Sequence, residues 1–423
     1  MKPSQRYQKL TKNMNYCMKL IGFDILNSRL KFNYRTWITV IAVTCYGIFS
    51  VHWMIRQAEI SWTECLKASI MMGGMLNGST EIVTIVLRQP EIRRLMINTR
   101  QLFENYEQRN AAYCKALNLG IDRLLDILKM IRFGYIVSYL VMCLVPLILL
   151  IYNGTRVTIV QYELPGVPLD NNYGYAFTYL SHLVSMFIAG VGFYAGDLMG
   201  CLALMQILTY SDILQVKADE LNAALDQKVE KRRTAVVGAT IDGDGDGYGE
   251  PQMRLLESIK WHQWLTEYCH NVDHIYHILI AGQVMSSAIS MLCTFCVSIS
   301  EFHLISVIYF VVSGYKMLVY CVVGTKIEYA VSSAPQTMRQ PKTNSISFLS
   351  TPRQYDQVYE SICSISWHEL NGSQRNMFRM MLKEAQNSQT IMMLGMLPLS
   401  VRTALQITKL IYSVSMMMMQ NRT

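Results

Sequence analysis

The sequence predicts an all-α membrane protein: seven transmembrane helices, a cytosolic N-terminus, an extracellular C-terminus, and helices extended into a cytosolic anchor layer. Three observations carry this. Seven stretches are apolar for long enough to cross a bilayer as helices, which takes about 20 mostly uncharged residues at ~1.5 Å each. Basic residues gather on alternate connections, which the positive-inside rule assigns to the cytosol. Finally, the glycosylation sequon Asn153-Gly154-Thr155 lies in a connection that this orientation places outside, so Asn153 is the candidate glycosylation site.

Residues 1–35 are read as a cytosolic segment. They carry Lys2, Arg6, Lys9, Lys12, Lys19, Arg29, Lys31 and Arg35 and no apolar run of signal-peptide length, so the first span is expected to serve as the retained targeting signal. Region 36–330 holds spans at 37–55, 65–87, 133–152, 175–210 (overlong), 275–297 and 304–324. The charged run between the second and third spans, which includes Arg88, Arg93, Arg94, Arg100 and Arg109, is expected to extend both helices into the cytosol. Within it, 211–274 is a cytosolic loop: a charged helix at 218–233, a disordered Gly/Asp-rich insert around 243–249, and an amphipathic helix at 254–277 feeding the fifth span. Region 331–388 is expected to supply an anchor helix after a Ser/Pro/Thr-rich stretch. Region 389–423 holds the last span, at 391–419, and an extracellular end.

Composition closes other classes. Of 423 residues, 51% are hydrophobic, and the net charge of +8 is spread over cytosolic loops, not gathered into a nucleic-acid footprint. Membrane lipid is the expected partner, and nucleic acid is not. Most of the cysteines fall in spans or cytosolic segments and are expected to be reduced. Asp242, Asp244, Asp246 and Gly247 begin an EF-hand loop, but Gly249 and Met253 break it, so it reads as a solvated loop. Cys269, His270, Asp273, His274 and His277 read as a polar face at the membrane edge, and Cys293 with Cys296 as packing. No Walker loop, GxSxG or HExxH occurs, and no cofactor or enzymatic activity is expected. Glu81, Asp197 and Lys316 are ionisable groups within spans, where charge is costly. Glu81 and Asp197 can equally snorkel to cytosolic water, which leaves Lys316 as the better functional candidate.

The C-terminal third resembles the insect odorant receptors. Tyr320-Cys321-Val322-Val323-Gly324 matches the YCxxG signature ending their sixth span, and Trp367, Pro398-Leu399-Ser400 and Lys409-Leu410-Ile411-Tyr412-Ser413 follow in the family's order. Cys363, where a Tyr commonly stands, and Val414, in place of an aromatic, depart from the pattern. The resemblance implies a ligand-gated, nonselective cation channel in the plasma membrane of olfactory sensory neurons. Four subunits surround a pore lined by the last helix, and tuning subunits assemble with a shared odorant receptor coreceptor. It places Met417 at the constriction and Gln420 and Asn421 at the extracellular mouth. A homomeric gustatory-type channel is the alternative, and a G-protein-coupled receptor a weaker one, since it needs an external N-terminus.

A volatile odorant calls for a small, enclosed, mostly apolar cavity with few polar groups. Residues at helical spacing in the outer halves of the family's pocket-forming spans are Met71, Met75, Tyr139, Met142, Val145, Tyr179, His182, Met186 and Tyr309. The abundant methionines suit a pocket that repacks around varied ligands.

Overall fold

The computed structural model describes residues 1–28, 31–59, 61–70, 72–154, 156–160, 164, 167, 171–237, 249–300, 304–331, 361–386, 391–393, 395 and 397–420. Helices dominate: α1 (Pro3–Leu20), α2 (Tyr34–Ala58), α3 (Trp62–Ile70), α4 (Met72–Tyr106), α5 (Ala111–Asn153), α6 (Asn172–Val237), α7 (Glu250–Ser300), α8 (Leu304–Val331), α9 (Gly372–Ala385) and α10 (Val401–Gln420). Two short strands, β1 (Met392–Met393) and β2 (Leu397–Pro398), pair antiparallel. The Gly/Asp-rich insert, the Asp242–Asp246 half-loop, Met71 and Asn421 lie outside the described residues.

Six helices among the described residues are long and apolar enough to cross a membrane, α3 and α4 counting as one. Three of them far exceed a bilayer. With 43, 66 and 51 residues, α5, α6 and α7 run roughly 65, 100 and 75 Å at 1.5 Å per residue. They therefore project together beyond one side of the bundle, here termed the extended end. The opposite side, where α5 meets α6 and α7 meets α8, is the loop end. The span at 175–210 and the charged helix at 218–233 form one uninterrupted helix, because no Gly or Pro falls between them to break it.

The last span differs from its expected bounds of 391–419. Helix α10 starts only at Val401, because the strands β1 and β2 precede it in the same apolar run. Gly395 stands between them with a left-handed φ of 69°, and Pro398 lacks the N–H a helix interior needs. The Thr403 N–H donates to Ser400 Oγ at 3.3 Å, capping the helix that follows. On α10 a buried stripe of Ala404, Ile411 and Ser415, with Ile407 half-buried, faces the chain at helical spacing.

The N-terminal segment is a helix packed into the extended end. Tyr7 stacks on Phe103 of α4 with ring centroids 5.1 Å apart, Met14 and Met18 are buried, and Arg6 pairs with Asp122 of α5. Gly22 then turns the chain at φ 96°, where a Cβ would stand 2.2 Å from the Thr36 backbone nitrogen. Only glycine fits there.

Candidate ligand cavity and gate

At the loop end, Met142, Cys143, Ile159 and Val160 form a separate apolar cluster. Tyr46, Phe49 and Trp53 of α2, Tyr139 of α5, Tyr179 and Met186 of α6, and Tyr309 of α8 pack around it. Tyr139, Met142, Tyr179, Met186 and Tyr309, selected by spacing alone, are thus brought together. Tyr179 donates to the Cys143 carbonyl at 2.5 Å, and Tyr139 meets Phe187 edge-on at 6.3 Å. His182 is fully buried on α6, between Tyr179 and Met186 at helical spacing. Val145 is half-buried and not part of this cluster, whereas Met75 sits elsewhere. Its Sδ and Cε lie over Gly47 of α2, and it lines a groove of about 520 Å³ between α2 and α4 with Val43, Val51, His52 and Ser79.

Polar atoms around the cluster carry a signal that spacing could not supply. Ser50 Oγ on α2, Thr178 Oγ1 on α6 and Tyr309 OH on α8 are buried without a hydrogen-bond partner among the described residues. A buried hydroxyl left unpaired costs roughly 1–3 kcal/mol. Three such hydroxyls sit on the helices that enclose one apolar cluster. Tyr309 also packs in a second cluster with Leu66, Ile70, Cys293, Cys296 and Val297, and α10 contributes Met418 to it. One side chain thus packs against both clusters, and the second of them also receives a residue of the last helix.

On α10, Met417 is 57% exposed and Gln420 is exposed, while Met418 packs inward. Asn153, exposed, ends α5 and is followed by left-handed Gly154. The YCxxG residues acquire physical roles. Tyr320 donates to Asp197 at 2.6 Å, and a Cβ on Gly324 would fall 2.0 Å from the Leu399 carbonyl oxygen. The glycine therefore lets the chain entering α10 seat directly on α8, where the Val401 N–H donates to Thr325 Oγ1 at 2.8 Å. Glu81 and Asp197 do not snorkel: they are 4% and 2% exposed, and Lys316 Nζ lies 3.9 Å from Asp197. The Cys269–His277 group is dispersed. Cys269 is buried, Asp273 accepts from the Met392 N–H at 2.9 Å, and His274 approaches Glu91 at 3.8 Å.

A family profile described as 7tm Odorant receptor matches residues 61–340. A Drosophila melanogaster protein carrying the name odorant receptor 83c is 46% identical over 417 residues, covering 99% of this chain and 98% of that relative. Among solved structures, the olfactory receptor OR5 of Machilis hrabei superposes with a TM-score of 0.70 at 12% identity over 99% of both chains. The same receptor in complex with eugenol superposes with a TM-score of 0.69 at the same identity and coverage. At that identity the likeness concerns the fold.

Proposed function

This chain belongs to the 7tm odorant receptor family, and from that membership we propose that it is the odorant-binding subunit of a ligand-gated, nonselective cation channel. In this reading it assembles with the odorant receptor coreceptor in the plasma membrane of olfactory sensory neurons. The loop end is extracellular and the extended end is the cytosolic anchor. α10 is the seventh span, its exposed Met417 face turned to the pore with Gln420 at the mouth.

The observation that carries the ligand assignment is the loop-end cluster. It is apolar and built on α2, α5, α6 and α8, and these helices carry the buried hydroxyls of Ser50, Thr178 and Tyr309, which have no partner among the described residues. Such an apolar setting suits a small, mostly apolar volatile with one hydrogen-bonding group. That OR5 of Machilis hrabei has been solved with eugenol supports a ligand of this size.

The test is current recorded against an odorant panel from cells expressing the chain alone and with the coreceptor. Odorant-evoked cation current only in the pair is expected. Robust current from the chain alone replaces this reading with the homomeric gustatory-type channel. Tags complete the test: one on Met1 is expected to need permeabilisation for labelling, and one after Thr423 is not. The reverse pattern removes the channel assignment.

A further inference from the structure

Inside the bundle, five helices meet at one polar junction. Gln283 of α7 divides its Nε2 donors between Glu81 of α4, at 2.8 Å, and Asp197 of α6, at 3.1 Å. Asp197 also accepts from Tyr320 of α8 at 2.6 Å and from Tyr135 of α5 at 2.5 Å. The Lys316 ammonium stands 3.9 Å from it and 4.9 Å from the Phe193 ring centroid. Asp197 is therefore hydrogen-bonded on both oxygens and paired with the only ammonium of the junction among the described residues.

Glu81 is placed differently. Its carboxyl is seated on Gly196, where an added Cβ would come within 2.6 Å of Glu81 Cδ, and among the described residues no cationic side chain stands within ion-pair distance of it. Two carboxylates facing one ammonium leave one negative charge in excess. An uncompensated charge buried among membrane helices is costly, so the electrostatics call for one more positive charge at Glu81, a proton or a cation.

A second observation points to the same place. Gln283, 1% exposed, has an Oε1 without a hydrogen-bond partner among the described residues, and so has Oδ1 of Asn77, 3% exposed. Asn77 precedes Glu81 by one helical turn and shares its face of α4. The Gln283 amide cannot be reversed, because its oxygen would then meet two carboxylates. The seam between α4 and α7 is close: a Cβ on Gly282 would stand 2.3 Å from Thr80 Oγ1, and one on Gly73 2.1 Å from Ser290 Oγ. A carboxylate with neighbouring amide oxygens that lack donors is the ligand chemistry of a hard cation, and a single excess charge fits a monovalent one.

We propose that Glu81, with the amide oxygens of Asn77 and Gln283, binds one monovalent alkali cation that ties α4 to α7. Its occupancy sets how firmly these two helices hold together, beside the contact between Asp197 and Tyr320 of the YCxxG motif.

The experiment is melting of the detergent-solubilised full chain, followed by fluorescence-detected size exclusion. Sodium, potassium and N-methyl-D-glucamine chlorides are compared at matched ionic strength and pH. A saturable rise of roughly 1–3 °C in sodium or potassium over the organic cation is expected. It is expected to vanish in Glu81→Gln. In Asn77→Leu, which keeps every charge, the half-saturating concentration is expected to rise at least about fivefold. Should Glu81→Gln not fold, Asn77→Leu decides alone. Equal melting in all three salts, or ion dependence unchanged in the variants, overturns the proposal. Melting that follows pH but not the ion assigns the missing charge to a proton and overturns it as well.

Discussion

Two groups of buried polar atoms, one at each end of the bundle, are treated in opposite ways. At the extended end they are paired several times over. Lys217, 2% exposed, bonds Glu257 at 2.6 Å and lies over the rings of Tyr106, Tyr113 and Trp261 at 5.1, 5.7 and 5.5 Å. Glu257 also takes Arg109, and Glu220 takes both Arg254, at 3.0 Å, and the Tyr113 hydroxyl, at 2.8 Å. At the loop end, Ser50, Thr178 and Tyr309 keep buried hydroxyls without partners among the described residues. Satisfied networks hold helices in one arrangement, whereas unsatisfied groups retain hydrogen-bonding capacity for something that arrives later. Removing a polar group should therefore damage the first region's stability and the second region's recognition.

The largest expected effect is at the extended end. Lys217→Met keeps the stem among the three rings but strands Glu257 with Arg109 alone. Breaking a fully buried pair costs roughly 3–5 kcal/mol. Glu257 is 35% exposed and keeps Arg109, so a loss of about 2 kcal/mol is expected, read as a lowered melting temperature and reduced surface expression. Wild-type melting in this variant would show that the network is not holding α6 to α7.

Titration breaks the same network without mutation. Burial alone would raise the Glu257 carboxyl, but hydrogen bonds and charge from Lys217 and Arg109 outweigh it and hold the group at about 2. A carboxylate held below its usual value near 4.5 contributes stability that is complete above that value and is lost as pH falls towards 2. The purified chain is expected to lose melting temperature on acidification from about pH 5 to 3, and Glu257→Gln to flatten that slope. An unchanged slope in the variant would place the acid sensitivity elsewhere.

Much of this division is written in the sequence, though unevenly. Hydropathy and alternating charge locate the spans, and charged, helix-favouring stretches foretell the extensions of α4, α5 and α7. The packing of α1 was readable from Tyr7, Thr11, Met14 and Met18 at helical spacing, but polarity masked it. The start of α10 was marked by Gly395 and Pro398 inside an apolar run that otherwise reads as span. Of the candidate ligand residues, Tyr139, Met142, Tyr179, Met186 and Tyr309 converge because their spacing fixes one face of each helix. Met75 goes elsewhere because Gly73 and Thr80 press α4 against α7 and so set its rotation. The hydroxyls of Ser50 and Thr178 gave no signal, since being unpartnered is a property of packing rather than of residue type.

A smaller effect, and of the opposite kind, is expected at the loop end. Tyr309→Phe removes a hydroxyl that no described group uses, so stability should change by no more than about 0.5 kcal/mol. The concentration for half-maximal current should instead rise about five- to tenfold for odorants bearing a hydrogen-bonding group, equivalent to roughly 1 kcal/mol. It should move little for pure hydrocarbons. Equal shifts for both ligand classes would mean the ring, not the hydroxyl, makes the contact. A fall in melting temperature without any change in sensitivity would make the loop end as structural as the other.

The smallest effect is expected within α10, where the same contrast falls on neighbouring residues. Met418 is packed with Leu66, Ile70, Cys293, Cys296 and Val297, whereas Met417, about 100° around the helix, is 57% exposed and makes no such commitment. If the exposed face lines a pore, Met417 supplies one apolar side chain to a ring completed by other subunits, and such a ring closes by excluding water. Partner side chains remain when one is altered, so Met417→Ser should raise basal current only modestly and leave the odorant profile in place. Cysteine substitution sharpens the contrast: a charged extracellular thiol reagent should change odorant-evoked conductance at position 417 and much less at 418, judged against the unsubstituted chain. Equal insensitivity at both would mean that the exposed face of α10 meets lipid or protein rather than the ion path.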